Sequence, residues 1–216
     1  FGADLGAEKF LDIKCQSAGL SPKAVVITTT IRALKYHGGA DLKTLTQPNV
    51  EALKKGIPNL EKHLENVKQF NIVPVIAINR FVSDSDEEIE AIQEFAKSNN
   101  VRVALAEVWA KGGKGALDLA QHVIEIVASG ESNFKPLYNW DSSVKEKIAT
   151  IATKIYGAAQ VDYTSKALKN LRTIADLGLE GLPICMAKTQ KSLSDNPKLI
   201  GRPTGFTITI REIEIA

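Results

Sequence analysis

Short β-branched or apolar runs alternate with stretches of helical periodicity along most of this chain, and that alternation leaves few folds open. Ala24–Thr30 (AVVITTT), Ile72–Ile78 (IVPVIAI), Val101–Glu107 and Leu182–Ala187 (LPICMA) are short and rich in such residues, which predicts strands buried on both faces. Phe206–Ile215 alternates with period two, as a half-solvated strand does. Pro74 lacks an N–H and belongs near a strand end or a bulge.

Between these runs, Asn49–Phe70 repeats apolar residues at Leu53, Ile57, Leu60, Leu64 and Val67, close to the helical period, with Pro58 expected to kink or split it. Asp84–Ser98 opens with a Ser85–Glu88 capping box and an acidic first turn suited to the helix dipole. Gly115–Val127, Ser143–Tyr156 and Thr164–Leu177 complete the predicted helices, the last with Thr164 as N-cap and Gly178 as its C′ stop. Gly130–Asp141 reads as a surface excursion. The pattern predicts an α/β fold in helix–sheet–helix layers around a mainly parallel sheet.

The composition narrows the function. With 216 residues, 44% hydrophobic and 24% charged, the chain suits one or two globular domains and excludes a disordered tail or a coiled coil. Lys+Arg 27 against Asp+Glu 25 argues against a nucleic-acid binder. No apolar run approaches the ~18–20 residues of a membrane helix. Two cysteines cannot build a disulfide scaffold, so a reducing cytoplasm is the expected compartment. The chain starts Phe1-Gly2-Ala3-Asp4 without Met and ends inside its last strand-like run; both ends read as cuts through something larger.

In open α/β sheets, ligands gather at the carboxyl ends of strands. Two loops occupy that position, Asn79–Asp84 and Val108–Gly115, and each carries a large aromatic just past a strand, Phe81 and Trp109. Such a pair suits a clamp for a flat heterocycle or a plug for the sheet end, and the residues alone leave both open. Gly112-Gly113-Lys114-Gly115 suits a backbone approach to phosphate or a tight turn, without Walker A spacing. Asn79-Arg80 lacks the Asp that a GTPase base-reading loop requires. His37, His63, His122, Cys15 and Cys185 show no metal-ligand spacing, so no metal site is expected. Cys185, inside a predicted strand, reads as a buried small hydrophobe. A polar run, Lys188–Asp195, follows that strand, and Arg202–Gly205 reads as a rigid turn into the last strand.

Six stretches in order along the chain resemble the formate–tetrahydrofolate ligase family: FGADLGAEKF (1–10), ALKYHGG (33–39), VPVIAINRFVSDSDEE (73–88), VWAKGGKGALDLA (108–120), EKIATIATKIYGA (146–158) and LPICMAKTQKSLSDNPKLIGRPTGFTITIRE (182–212). The resemblance implies an enzyme that joins formate to tetrahydrofolate with ATP and Mg²⁺, through formyl phosphate, giving 10-formyltetrahydrofolate. It implies a possible monovalent cation and a homotetrameric parent. It implies that Phe81 and Trp109 sandwich the pterin, that Leu105 forms the apolar wall of that pocket, and that Phe1, Gly2, Ala3 and Asp4 lie on the adenine side of the nucleotide. The family's phosphate-binding loop and catalytic residues are expected in a preceding domain, with residues 1–55 the tail of that domain, 56–201 a folate-side α/β domain and 202–216 the start of a further domain holding the last strand. On that reading these 216 residues are inactive alone. The alternative is a non-catalytic folate-binding or subunit-assembly module. The resemblance assigns no role to Lys188, Thr189 or Arg202.

Overall fold

The computed structural model describes residues 3–215. Helix α1 (Ala3–Lys9) opens the chain and continues through a wider π-helical stretch, Phe10–Cys15, to Ala18. The chain forms two compact units: Ser21–Lys135 with Ile200–Arg202, and the segments up to Leu20, Pro136–Leu199 and from Pro203 onward.

The first unit runs β1 (Val25–Thr29), α2 (Ile31–His37), α3 (Val50–Gln69), β2 (Pro74–Asn79), α4 (Asp86–Ser98), β3 (Arg102–Ala106), the short α5 (Val108–Lys111) and α6 (Leu117–Ser129). The strands lie in the order β1-β2-β3, all parallel, in register from Val25 opposite Pro74 to Asn79 opposite Ala106. Helical crossovers are what parallel neighbours require. Central β2 is buried from Pro74 to Ile78, which accounts for its unbroken apolar run. Pro74 is its first residue, as the missing N–H demands.

Helix α3 begins where the Asn49 side chain accepts the Ala52 N–H at 2.9 Å. Of the two expected effects of Pro58, a kink or a split, the split does not occur: α3 is one helix of 20 residues. Pro58 and Lys54 are both exposed, so water can solvate the carbonyl that the proline leaves without a donor. On the opposite side α3 meets α2 backbone to backbone. A Cβ on Gly56 would fall 1.8 Å from the Leu34 carbonyl oxygen, and one on Gly38 would fall 1.7 Å from that of Ala52.

Lys35 and Glu88 are fully buried, with Nζ and Oε1 2.8 Å apart. The Lys35 ammonium also donates to the Gln47 carbonyl at 2.8 Å. Glu88 accepts the Asn49 N–H at 2.8 Å and, through the capping box, the Ser85 N–H at 3.1 Å. One carboxylate therefore joins α2, the start of α3 and the start of α4. Burial pushes the Glu88 carboxyl up, but the bonds from Lys35, Asn49 and Ser85 together outweigh it and hold the carboxyl below its usual range. A depressed carboxyl stabilises the fold fully above the unfolded glutamate range, and that contribution is lost as pH falls through the lower, folded value. Glu88→Gln strands a buried ammonium and is expected to cost about 3–5 kcal/mol in urea unfolding at neutral pH. The gap between the two proteins should close as the pH is lowered below the glutamate range; a gap independent of pH contradicts this assignment.

The second unit holds α7 (Val144–Thr150), continued as a π-helical stretch to Tyr156, then β4 (Gln160–Tyr163), α8 (Ser165–Asp176) and β5 (Thr207–Ile210). A Ser143–Glu146 capping box starts α7, Thr164 caps α8, and Gly178 follows α8 at φ 67°. β4 and β5 pair in parallel as a separate two-stranded sheet.

Two strand expectations need correction. Leu182–Ala187 is irregular. Pro183 has no N–H, the Ile184 N–H donates to the Tyr138 hydroxyl at 3.1 Å, and the Leu182 carbonyl accepts from Lys147 at 2.9 Å. Side chains take the bonds that a strand ladder needs. Cys185 is accordingly exposed rather than buried. Phe206–Ile215 pairs only over Thr207–Ile210. Beyond it, the Thr164 hydroxyl bonds the Arg211 carbonyl at 2.6 Å, and Asn170 accepts the Ile213 N–H at 3.4 Å.

Glu8 and Asp12, one helical turn apart, are 1% and 0% exposed. Asp12 accepts the Leu137 N–H at 2.8 Å. Burial, reinforced by the Asp12 carboxylate, drives Glu8 well above its usual range, so the pair holds one proton. A raised acid favours folding most below the unfolded glutamate range, and stability falls as pH rises above it. Glu8→Gln supplies an amide donor to Asp12 without a titrating proton. It is expected to raise the melting temperature by a few degrees at pH 8 and not at pH 4; equal shifts at both pH values contradict the shared proton.

Candidate functional site

Three parallel strands of the first unit end side by side, and each continues into a short connection carrying polar or aromatic side chains. After β1, Thr30 accepts the Ala33 N–H at 3.1 Å and starts α2, which places Arg32 in its first turn. After β2, Asp84 is buried, and its carboxylate accepts the Phe81 N–H at 2.7 Å. The Asp84 N–H donates back to the Phe81 carbonyl at 3.0 Å, so the turn is closed twice. The Arg80 N–H donates to the Ala106 carbonyl at 3.1 Å, extending the β2–β3 pairing one step past the sheet. The Arg80 side chain reaches Asp86 at 3.1 Å and Glu107 at 3.5 Å.

After β3, the chain turns sharply. The Glu107 N–H donates to the Gly115 carbonyl at 2.9 Å. Gly112 has φ 58°, and a Cβ on Gly115 would fall 2.4 Å from the Glu107 carbonyl oxygen. These glycines are required to close a turn, the plainer of the two readings their spacing allows. Lys111 pairs with Glu107 and, with Arg80 beside it, holds that carboxyl below its usual range.

This turn carries Trp109 on α5, and the indole is 89% exposed. A ring so open plugs nothing. Phe81 is 38% exposed, and the Arg32 guanidinium lies over its ring, 4.4 Å from the centroid. Leu105 is half-buried on β3, opposite Ile78. Phe81, Leu105 and Trp109 thus belong to the ends of two neighbouring, in-register strands. Arg32 was not singled out in the sequence; an arginine two residues past a strand end was the available signal.

Of the residues expected on the nucleotide side, Ala3 and Asp4 lie in the second unit. Phe1 and Gly2 lie outside the described residues, and Ala3 starts α1. Asp4 is buried and ion-paired with Lys188 at 2.8 Å. The Lys188 ammonium also donates to the Ser192 carbonyl at 2.5 Å and the Thr189 carbonyl at 3.1 Å, and it lies 4.8 Å from the Tyr156 ring centroid. Lys188 therefore anchors the loop that follows it. Arg202, in the first unit, bridges Glu61 at 2.8 Å and Glu65 at 2.7 Å on α3. Among the described residues, no three His, Cys, Asp or Glu side chains converge to hold a metal, and no helix is long and apolar enough to cross a membrane.

Comparison with known proteins bears on this arrangement. A curated relative from Staphylococcus aureus, described as a formate–tetrahydrofolate ligase, is 53% identical over 214 residues, which are 99% of this chain and 38% of that protein. The chain thus spans well under half the length of the relative it matches. The profile of the formate–tetrahydrofolate ligase family matches residues 1–216. Matched from end to end by that profile, the chain belongs to the formate–tetrahydrofolate ligase family.

Proposed function

We propose that this chain is the pterin-holding part of an ATP-dependent ligase that joins formate to tetrahydrofolate. Phe81 and Trp109 flank the pterin ring, and Leu105 forms an apolar wall. The observation that carries this reading is that Trp109, on the connection after β3, is 89% exposed, and β3 pairs with the strand that leads to Phe81. A large aromatic stabilises the fold when buried and does nothing for it here, whereas an amphipathic flat ligand gains from stacking on it.

The chemistry of such a ligase is acyl transfer onto nitrogen. ATP, delivered with Mg²⁺, activates formate as formyl phosphate. A tetrahydrofolate N–H nitrogen attacks the formyl carbon; the C–N bond forms, the carbon–oxygen bond to phosphate breaks, and phosphate leaves while the nitrogen gives up its proton to solvent or phosphate, giving 10-formyltetrahydrofolate. On the family resemblance the phosphate-binding loop is expected in a preceding domain, so no step at the phosphates is assigned to this chain. What Phe81, Leu105 and Trp109 supply is orientation, which can be worth several kcal/mol of barrier. Positioned phosphates are the core of phosphoryl transfer, so this chain alone is proposed to be inactive, with the whole protein a cytoplasmic homotetramer. Asp4 would serve the nucleotide side indirectly, through its pairing with Lys188.

Calorimetric titration of the chain with tetrahydrofolate tests the reading. Trp109→Ala is expected to weaken binding by roughly 1–3 kcal/mol, the scale of aromatic–base stacking, without changing the melting temperature. With formate, tetrahydrofolate and ATP all present, this chain should release no ADP. Unchanged affinity in the variant contradicts the clamp; ADP release contradicts the division of labour.

A further inference from the structure

Arg32 and Phe81 come from different strand ends and meet with the guanidinium over the ring. The Arg32 guanidinium carbon lies 4.4 Å from the Phe81 centroid, and one of its nitrogens donates to the Ser83 hydroxyl at 3.1 Å. The Phe81 backbone is fixed independently by Asp84, whose carboxylate takes its N–H at 2.7 Å. Backbone and side chain are thus restrained by separate groups. With Arg32 over one face, the 38% exposure of Phe81 leaves ring surface for a second contact.

A half-exposed phenyl ring without such a partner populates several rotamers, and a ligand that needs one of them binds more weakly by the fraction in the others. A guanidinium over the ring is held there by the ring quadrupole and, being planar, can stack on the ring as an ammonium cannot. Its hydrogen bond to Ser83 keeps it from swinging away. A ring restrained in this way before a ligand arrives raises affinity by preorganisation.

We propose that Arg32 is a positioning residue of the pterin site: it occupies one face of Phe81, fixes the ring plane, and leaves the other face as the one a flat ligand meets. This inference rests on the clamp reading above. Arg32 acts through Phe81 and need not touch the ligand.

The test is a double-mutant cycle on this chain, read by tetrahydrofolate calorimetry and thermal melting: wild type, Arg32→Met, Phe81→Leu and the pair. Arg32→Met is expected to weaken binding about 3- to 30-fold, the range of a cation–π contact, with the melting temperature unchanged. In the Phe81→Leu background it should weaken binding no further. Arg32→Lys should fall between wild type and Arg32→Met; it also serves in its place if Arg32→Met lowers the melting temperature. Wild-type affinity in the Arg32 variants, or an equal loss with and without the Phe81 ring, overturns the proposal. Binding that Trp109→Ala weakens while the Arg32 variants leave it intact overturns this inference alone. A chain that binds no tetrahydrofolate at all overturns the clamp and this inference together.

Discussion

The ion pair between Lys35 and Glu88 fixes the carboxyl edge of the sheet. It lies at α2 and at the starts of α3 and α4, and both α2 and α4 follow a strand end. Both groups are out of water, so the pair tolerates little displacement: a buried charge that loses its partner keeps its desolvation cost. The capping box that seats Glu88 also ends the Asn79–Ser85 loop. The backbone carrying Phe81 is thus held at one end by the β2–β3 pairing, through Arg80, and at the other by a buried carboxylate. Gly38 and Gly56 let α2 and α3 approach backbone to backbone.

On that rigid base the two aromatics differ in kind. Phe81 is braced by Arg32 and Asp84, whereas Trp109 rides a four-residue helix on a glycine-closed turn, with its indole in solvent. One fixed ring and one open ring suit a ligand that enters from solvent and stacks. A pair of buried rings would instead serve packing. On the proposed reading this platform holds the folate of a ligase like the curated relative that is 53% identical to the chain.

Much of this was legible in the sequence, for identifiable reasons. Of the three strands of the first unit, β2 was readable because a strand buried on both faces must be apolar throughout. β1 and β3 were readable from their β-branched and apolar residues, but they are not buried on both faces as expected: Val26 and Thr28 are exposed on β1, and Arg102, Val103 and Leu105 are only half-buried on β3. The Ser85–Glu88 box was readable because capping is local chemistry. The Phe81 and Trp109 positions followed from the strand ends. What escaped depended on distant partners. Leu182–Ala187 has a strand's composition, but Tyr138 and Lys147, far off in sequence, claim its backbone groups. β4 is only four half-buried or exposed residues and exists because β5 pairs with it. The contact of Arg32 with Phe81 joins residues 49 positions apart, and no local pattern announces it.

The account stands or falls on where the flat ligand sits. The chain has two tryptophans, Trp109 on the proposed platform and Trp140 in the other unit, where its indole N–H donates to the Asp12 carbonyl at 3.2 Å. Their indole N–H signals in a proton–nitrogen correlation spectrum report each place separately during a tetrahydrofolate titration. The account predicts a saturable shift of the Trp109 indole and the Phe81 amide, with the Trp140 indole still. A folded chain in which Trp109 stays put, or in which only Trp140 moves, would contradict it.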